Sequence, residues 1–182
     1  MREAYDRYSN VSILLHWLIA GLVITNIVVA AAMEDNRGLF PWHKSIGIAV
    51  LALTLARIGW RLAHPLPPLP ERMASWERAF ARFTHGAFYL LLLAVPLLGW
   101  ATVSAGRGTG ELFGVIQGFD LPVAKSRELR DSLGEAHETA VLITLVLVAC
   151  HVAGALKHHL FDRDVVLQRM LPLVGRRNRY RD

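Results

Sequence analysis

Cysteine occurs once in the 182 residues, at Cys150, so no internal disulfide can form and the fold must hold by other means. Charge is scarce as well: Asp, Glu, Lys and Arg make up 19% of the chain, against 53% from the apolar set. A disordered chain is excluded, because disorder goes with few apolar residues. The formal net charge of +5 could hint at nucleic acid. Its distribution along the chain points to a membrane surface instead, and no nucleic-acid partner is expected. Internal repeats and low-complexity segments are absent.

The most informative absence is local. Residues 11–33, 83–106 and 139–156 are runs of 23, 24 and 18 residues without one Asp, Glu, Lys or Arg. Each is long enough to cross a hydrocarbon core of ~30 Å as a helix. A fourth stretch, 44–63, is apolar apart from Arg57 and Arg61 near its far end, where arginines can snorkel or meet a buried anion. Backbone polar groups in hydrocarbon must be satisfied within the segment, which leaves helices as the answer. The expected fold is an all-α integral membrane protein, a four-helix transmembrane bundle forming a single domain over 1–182. Its spans are placed at about 11–33, 43–63, 83–104 and 137–160, with a surface helix at about 161–173. The 2–3 connection is proline-rich at 64–70, with a short helix through Trp76. In the long 3–4 connection, 126–136 is expected to start span 4 early.

Cations set the orientation. The first ten residues, 57–82 and 157–182 carry 14 Lys+Arg and 7 acids, whereas 34–44 and 107–138 carry 6 and 8. Both termini are therefore expected in the cytoplasm of a bacterial inner (cell) membrane, multi-pass protein. Trp17, Trp42, Trp60 and Trp100 fall near span ends, where such rings favour the interface.

Of eight histidines, four lie within the spans at matched depths. His16 is near the inner end of span 1, and His43 and His137 open spans 2 and 4 at the outer side. His151 lies deeper in span 4. Residues 137 and 151 are separated by a rise of about 21 Å and an angular offset of only about −40°, so they share a face at two depths. His43 can meet His137, and His16 can meet His151. Paired neutral imidazoles are good axial ligands for heme iron, and bundle cores are where helices supply them. Ala20, Gly47 and Ala155 follow His16, His43 and His151 by four residues and leave room beside them. With no Cys-x-x-Cys-His, the heme would be b-type and non-covalent. Arg57, Lys157 and His158 are placed to neutralise propionates or to border a quinone pocket, and His85 belongs to the same region.

Plainer explanations compete. One histidine in an apolar helix is as often merely hydrogen-bonded to a carbonyl, but four at matched depths make coincidence remote, since intramembrane ionisable groups are usually functional. Zinc would need four ligands at one point rather than two pairs. His64 and His159 read as solvated, and Pro96 with Gly99 reads as a packing kink.

The chain resembles the bacterial cytochrome b561 proteins, within the wider cytochrome b561/Ni-hydrogenase b-subunit group, from Tyr8 to about Pro172. The resemblance rests on segments 13–18, ILLHWL; 42–47, WHKSIG; 84–89, THGAFY; 96–99, PLLG; 131–139, DSLGEAHET; and 151–159, HVAGALKHH. It implies an inner-membrane electron-transport cytochrome with two heme b groups, held by His43/His137 and His16/His151, that exchanges electrons with membrane quinone, ubiquinone foremost. Some relatives resemble superoxide oxidases. Superoxide as the donor would require a cationic outer approach, for which Lys44, Lys125, Arg127 and Arg130 are available. The activity expected is that of a quinone oxidoreductase, in the superoxide case a superoxide:ubiquinone oxidoreductase. The alternatives are a cytochrome b anchor or electron-relay subunit serving a partner oxidoreductase and, further off, a heme-free histidine-lined transporter.

Overall fold

The computed structural model describes residues 7–64, 73–164 and 166–172. Four long helices run in chain order: α1 (Asn10–Ala32), α2 (Phe40–Ala63), α3 (Ser75–Ala105) and α4 (Arg127–Lys157). All four are long and apolar enough to cross a membrane. Of the expected proline-rich segment 64–70, residues 65–70 lie outside the described residues. So do the two chain ends.

Polar side chains set the helix starts. Ser9 Oγ accepts from the Ser12 N–H at 3.2 Å and Ser126 Oγ accepts from the Leu129 N–H at 3.0 Å, each satisfying an orphan donor. Pro41 sits in the first turn of α2, where its missing N–H costs nothing. At α3 the Glu77 carboxylate accepts from the Ala74 N–H at 3.1 Å. Because nothing breaks the backbone between there and residue 83, the short helix expected through Trp76 is simply the first part of α3. Helix α4 likewise begins early, at Arg127.

Sequential neighbours pack together: α1 on α2, α2 on α3 and α3 on α4. Ile19, Ile46 and Val50 form a small buried core, with Leu22, Val23, Val29, Leu53 and Leu92 around it. Three small hydroxyl residues, Ser45, Thr54 and Ser104, are wholly buried. Large apolar side chains such as Ile24, Val28, Leu142 and Val146 face outward, where lipid would cover them.

One end of the bundle, the hairpin end, carries the turn between α1 and α2 and the 106–126 connection. That connection holds a two-residue hairpin, β1 (Glu111–Leu112) against β2 (Ile116–Gln117). Its turn places both Phe113 (φ 52°) and Gly114 (φ 70°) in the left-handed region, as the tight hairpin turn demands. The opposite, terminal end carries the start of α1 and the end of α4. There α4 passes into a π turn, His158–Asp162, and Arg163 (φ 51°) stops it. The surface helix expected over 161–173 is replaced, among the described residues, by this stop and a 3-10 turn at Gln168–Met170. Farther on, Trp17 Nε1 donates to the Met170 carbonyl at 2.7 Å and Arg7 to that of Leu171 at 2.5 Å.

Candidate functional site: two levels of paired histidines

The bundle brings the four intramembrane histidines together as two facing pairs. Toward the hairpin end, His43 of α2 and His137 of α4 have ring centroids 6.2 Å apart and planes at 86°. Toward the terminal end, His16 of α1 and His151 of α4 are 6.4 Å apart at 72°. An imidazole nitrogen lies roughly 1 Å from its ring centre and a metal–nitrogen bond is about 2 Å, so two rings across one metal ion stand about 6 Å apart. Both separations fit that arrangement.

The ring nitrogens support it. His137 Nδ1 lies 2.9 Å from the Val95 carbonyl, an acceptor only, so Nδ1 carries the proton and Nε2 keeps a lone pair for a metal. His43 Nδ1 is buried without a hydrogen-bond partner, the Asn26 backbone being the polar group beside it. Gly47 leaves the space next to His43 open: a Cβ there would meet only Asn26 Nδ2, at 3.8 Å. These features fit a heme held between paired imidazoles.

The other expected residues divide. His85 joins the terminal-end level, its ring 5.9 Å from that of His151, with Phe88 also against His151 at 5.3 Å. Arg57 Nη1 donates to the Ser12 carbonyl at 2.6 Å, near enough to both His16 and His85 for its charge to act on them. Arg61 lies over the Tyr89 ring, 5.3 Å from its centroid. Lys157 and His158 are taken up elsewhere. Lys157 Nζ bridges Glu77 (2.5 Å) and Asp162 (2.7 Å), and His158 Nδ1 faces Asp162 (2.9 Å) and Asp164 (2.7 Å). The acids that engage them are on the first turn of α3 and just beyond α4, so this cluster clasps the two helix ends. His64, expected in solvent, is exposed yet stacked on Trp60 at 3.8 Å.

At the hairpin end the four cations expected to draw an anion are all engaged. Lys44 Nζ donates to the Thr109 carbonyl, and Lys125 pairs with Asp120 at 3.2 Å. Arg130 and Arg127 pair with Asp131 at 2.6 and 3.7 Å. Asp120 also accepts from the Thr109 N–H at 2.6 Å. That bond, then the Thr109 hydroxyl and Lys125, hold its carboxyl below the usual carboxylate range. The 106–126 connection is thus a built cap. Ser45 Oγ takes the Phe113 N–H and Ser104 Oγ takes the Leu121 N–H, while Trp100 Nε1 donates to the Phe119 carbonyl.

Sequence reasoning missed Gly99. Placed in a packing kink, it lies directly against His137. A signal was available: His85 and Gly99 are fourteen residues apart on α3, the spacing of His137 and His151 on α4.

A helical membrane bundle with histidines paired between helices at two depths defines the class of transmembrane b-type cytochromes. The family model described as prokaryotic cytochrome b561 matches residues 7–173. The chain belongs to that family. It is 31% identical over 179 residues to the probable superoxide oxidase CybB of Yersinia pestis, covering 92% of this chain and 97% of that one. With cytochrome b561 homolog 2 of Escherichia coli (strain K12) the identity is 34% over 176 residues, 91% and 92% of the two chains. Cytochrome b562 of Cereibacter sphaeroides is 29% identical over 175 residues, 90% and 94% of the two. Family membership carries b-type heme binding, electron transport and a multi-pass place in the bacterial inner membrane.

Proposed function

We propose that this chain is a diheme b-type transmembrane cytochrome that transfers electrons between a periplasmic-side donor and membrane quinone, with ubiquinone as acceptor. The single observation that carries it is the pair of histidine pairs, 6.2 and 6.4 Å across, on residues of α4 that share one face. His43 and His137 hold the outer heme, and His16 and His151 the inner one. When bound, the hemes supply reversible one-electron chemistry at two depths. The protein's part is placement. Val95 fixes the His137 tautomer, and Arg57 sets a positive charge beside the inner pair, where it favours the electron-bearing state or a propionate. The cation excess at the terminal end supports a cytoplasmic location for both termini. Superoxide enters as donor through the name of the Yersinia pestis relative. The paired state of Lys44, Lys125, Arg127 and Arg130 leaves a less cationic approach than their number suggests.

The test is a reduced-minus-oxidised visible spectrum of the purified protein with heme quantified per chain. About two b-type hemes per chain, reduced by enzymatically generated superoxide and reoxidised by a soluble ubiquinone analogue, is the expected result. Two hemes that superoxide leaves oxidised would move the donor to a partner oxidoreductase. A folded, colourless protein would overturn the cytochrome.

A further inference from the structure

The α3–α4 seam keeps one antiparallel register over its length. A Cβ added at Gly106 would meet Arg130, one at Gly134 would meet Thr102, and one at Gly99 would meet His137. His85 meets His151 in the same register. Glycine within a helix is less favourable than alanine, so Gly99, deep inside α3, calls for a physical reason. A Cβ there would stand 3.1 Å from His137 Cε1 and 3.2 Å from Nδ1, closer than such atoms normally come. The same ring points Nδ1 at the Val95 carbonyl, one turn earlier on α3, at 2.9 Å.

We infer that Gly99 and the Val95 carbonyl together form the seat of the His137 imidazole, which makes Gly99 a positioning residue for the outer heme. The missing side chain lets the ring approach the α3 backbone, and the carbonyl fixes which nitrogen bears the proton. Nε2 is left with its lone pair, on a ring whose centroid is 6.2 Å from that of His43. Lengthening residue 99 would press on the ring, tilt it and stretch the bond to Val95. Partners of this kind orient a ligand and tune its metal. The inference rests on the ligand assignment proposed above.

Gly99→Ala in the full-length purified protein tests it, with Gly86→Ala as control, since a Cβ at Gly86 in the same helix meets nothing within 4 Å. The readouts are heme content, the low-spin EPR signals, which report the orientation of imidazole ligands, and the two midpoint potentials. In Gly99→Ala the outer-heme signal and potential shift and outer-heme retention falls by about tenfold, the scale of such partners. The inner heme stays, and Gly86→Ala matches the parent. In a His137→Ala background, Gly99→Ala adds nothing, because the ring it would press on is gone. Unchanged outer-heme signals, potential and content in Gly99→Ala overturn the inference, as does an equal loss in Gly86→Ala. If Gly99→Ala fails to fold, the double variant decides: folding supports a clash with the ring, and failure assigns Gly99 to helix packing. Retention of both hemes in His137→Ala would instead strike the ligand assignment itself.

Discussion

His85 stands edge-on to His151, ring centroids 5.9 Å apart, at the place in the α3–α4 seam where the other level has Gly99 against His137. The two levels are therefore unlike. The His137 ring leans on backbone, and the His151 ring leans on an imidazole and on Phe88, with the Arg57 charge near His16 and His85 of that level. Replacing His85 by Phe keeps the ring volume and removes the polar nitrogens. Both hemes should remain, with only the inner midpoint potential displaced, by on the order of tens of millivolts. Redox titration of the two components checks this. Loss of the inner heme in His85→Phe would instead make His85 a ligand.

Single ligand variants separate the levels. His43→Ala or His137→Ala should remove the outer heme and leave the inner, and His16→Ala or His151→Ala the reverse. Heme per chain then falls to about half in each. Four variants that each keep both hemes would reject the assignment.

Arg57 joins a structural tie to an electrostatic one. Its bond to the Ser12 carbonyl holds α2 to the start of α1, and a charged hydrogen bond of this kind contributes about 1.5–3 kcal/mol. Arg57→Ala should lower thermal stability accordingly and also lower the inner-heme potential, because a positive charge nearby favours the reduced state. Arg57→Lys keeps the charge and loses the planar fork, so it should restore most of the potential and little of the stability. Melting curves and redox titration read the two effects separately.

The cap over the hairpin end depends on two buried hydroxyls. Ser45 Oγ accepts from the Phe113 N–H at 2.8 Å while donating to the Pro41 carbonyl at 2.7 Å. Ser104 Oγ does the same between the Leu121 N–H at 3.0 Å and the Trp100 carbonyl at 2.9 Å. Ser45→Ala or Ser104→Ala leaves a loop N–H unpaired and should cost about 1–3 kcal/mol. Amide exchange should quicken at residues 113 and 121 respectively.

Asp120 makes the same cap sensitive to acid. Its carboxyl titrates below its ordinary value in the folded protein, so its contribution is present above about pH 4 and lost as pH falls through the lower folded value. Limited proteolysis within 106–126 should be slow at neutral pH and quicken under acid, the sense expected when the Thr109 N–H faces a neutral, weaker acceptor and Lys125 loses its charged partner. Asp120→Asn should flatten that pH dependence.

Much of this architecture is written along the chain. Charge-free runs of membrane length define the spans, and the helical period puts His137 and His151 on one face, since both depend on residues near in sequence. Ser9 and Ser126 as helix starts are local in the same way. How one helix is turned and slid against the next is a different matter. In lipid, apolar side chains cover every face, so periodicity gives no strong direction for the rotation of α3 against α4. Tertiary packing alone decided that Gly99 meets His137 and His85 meets His151. It also decided that His158, which shares the face of His151 by count, and Lys157 beside it join a cluster with Glu77, Asp162 and Asp164, and that the Met170 carbonyl meets Trp17. Asp162 and Asp164 are close in sequence to His158, but the Glu77 carboxylate and the Met170 carbonyl come from far along the chain, and no local pattern encodes their approach.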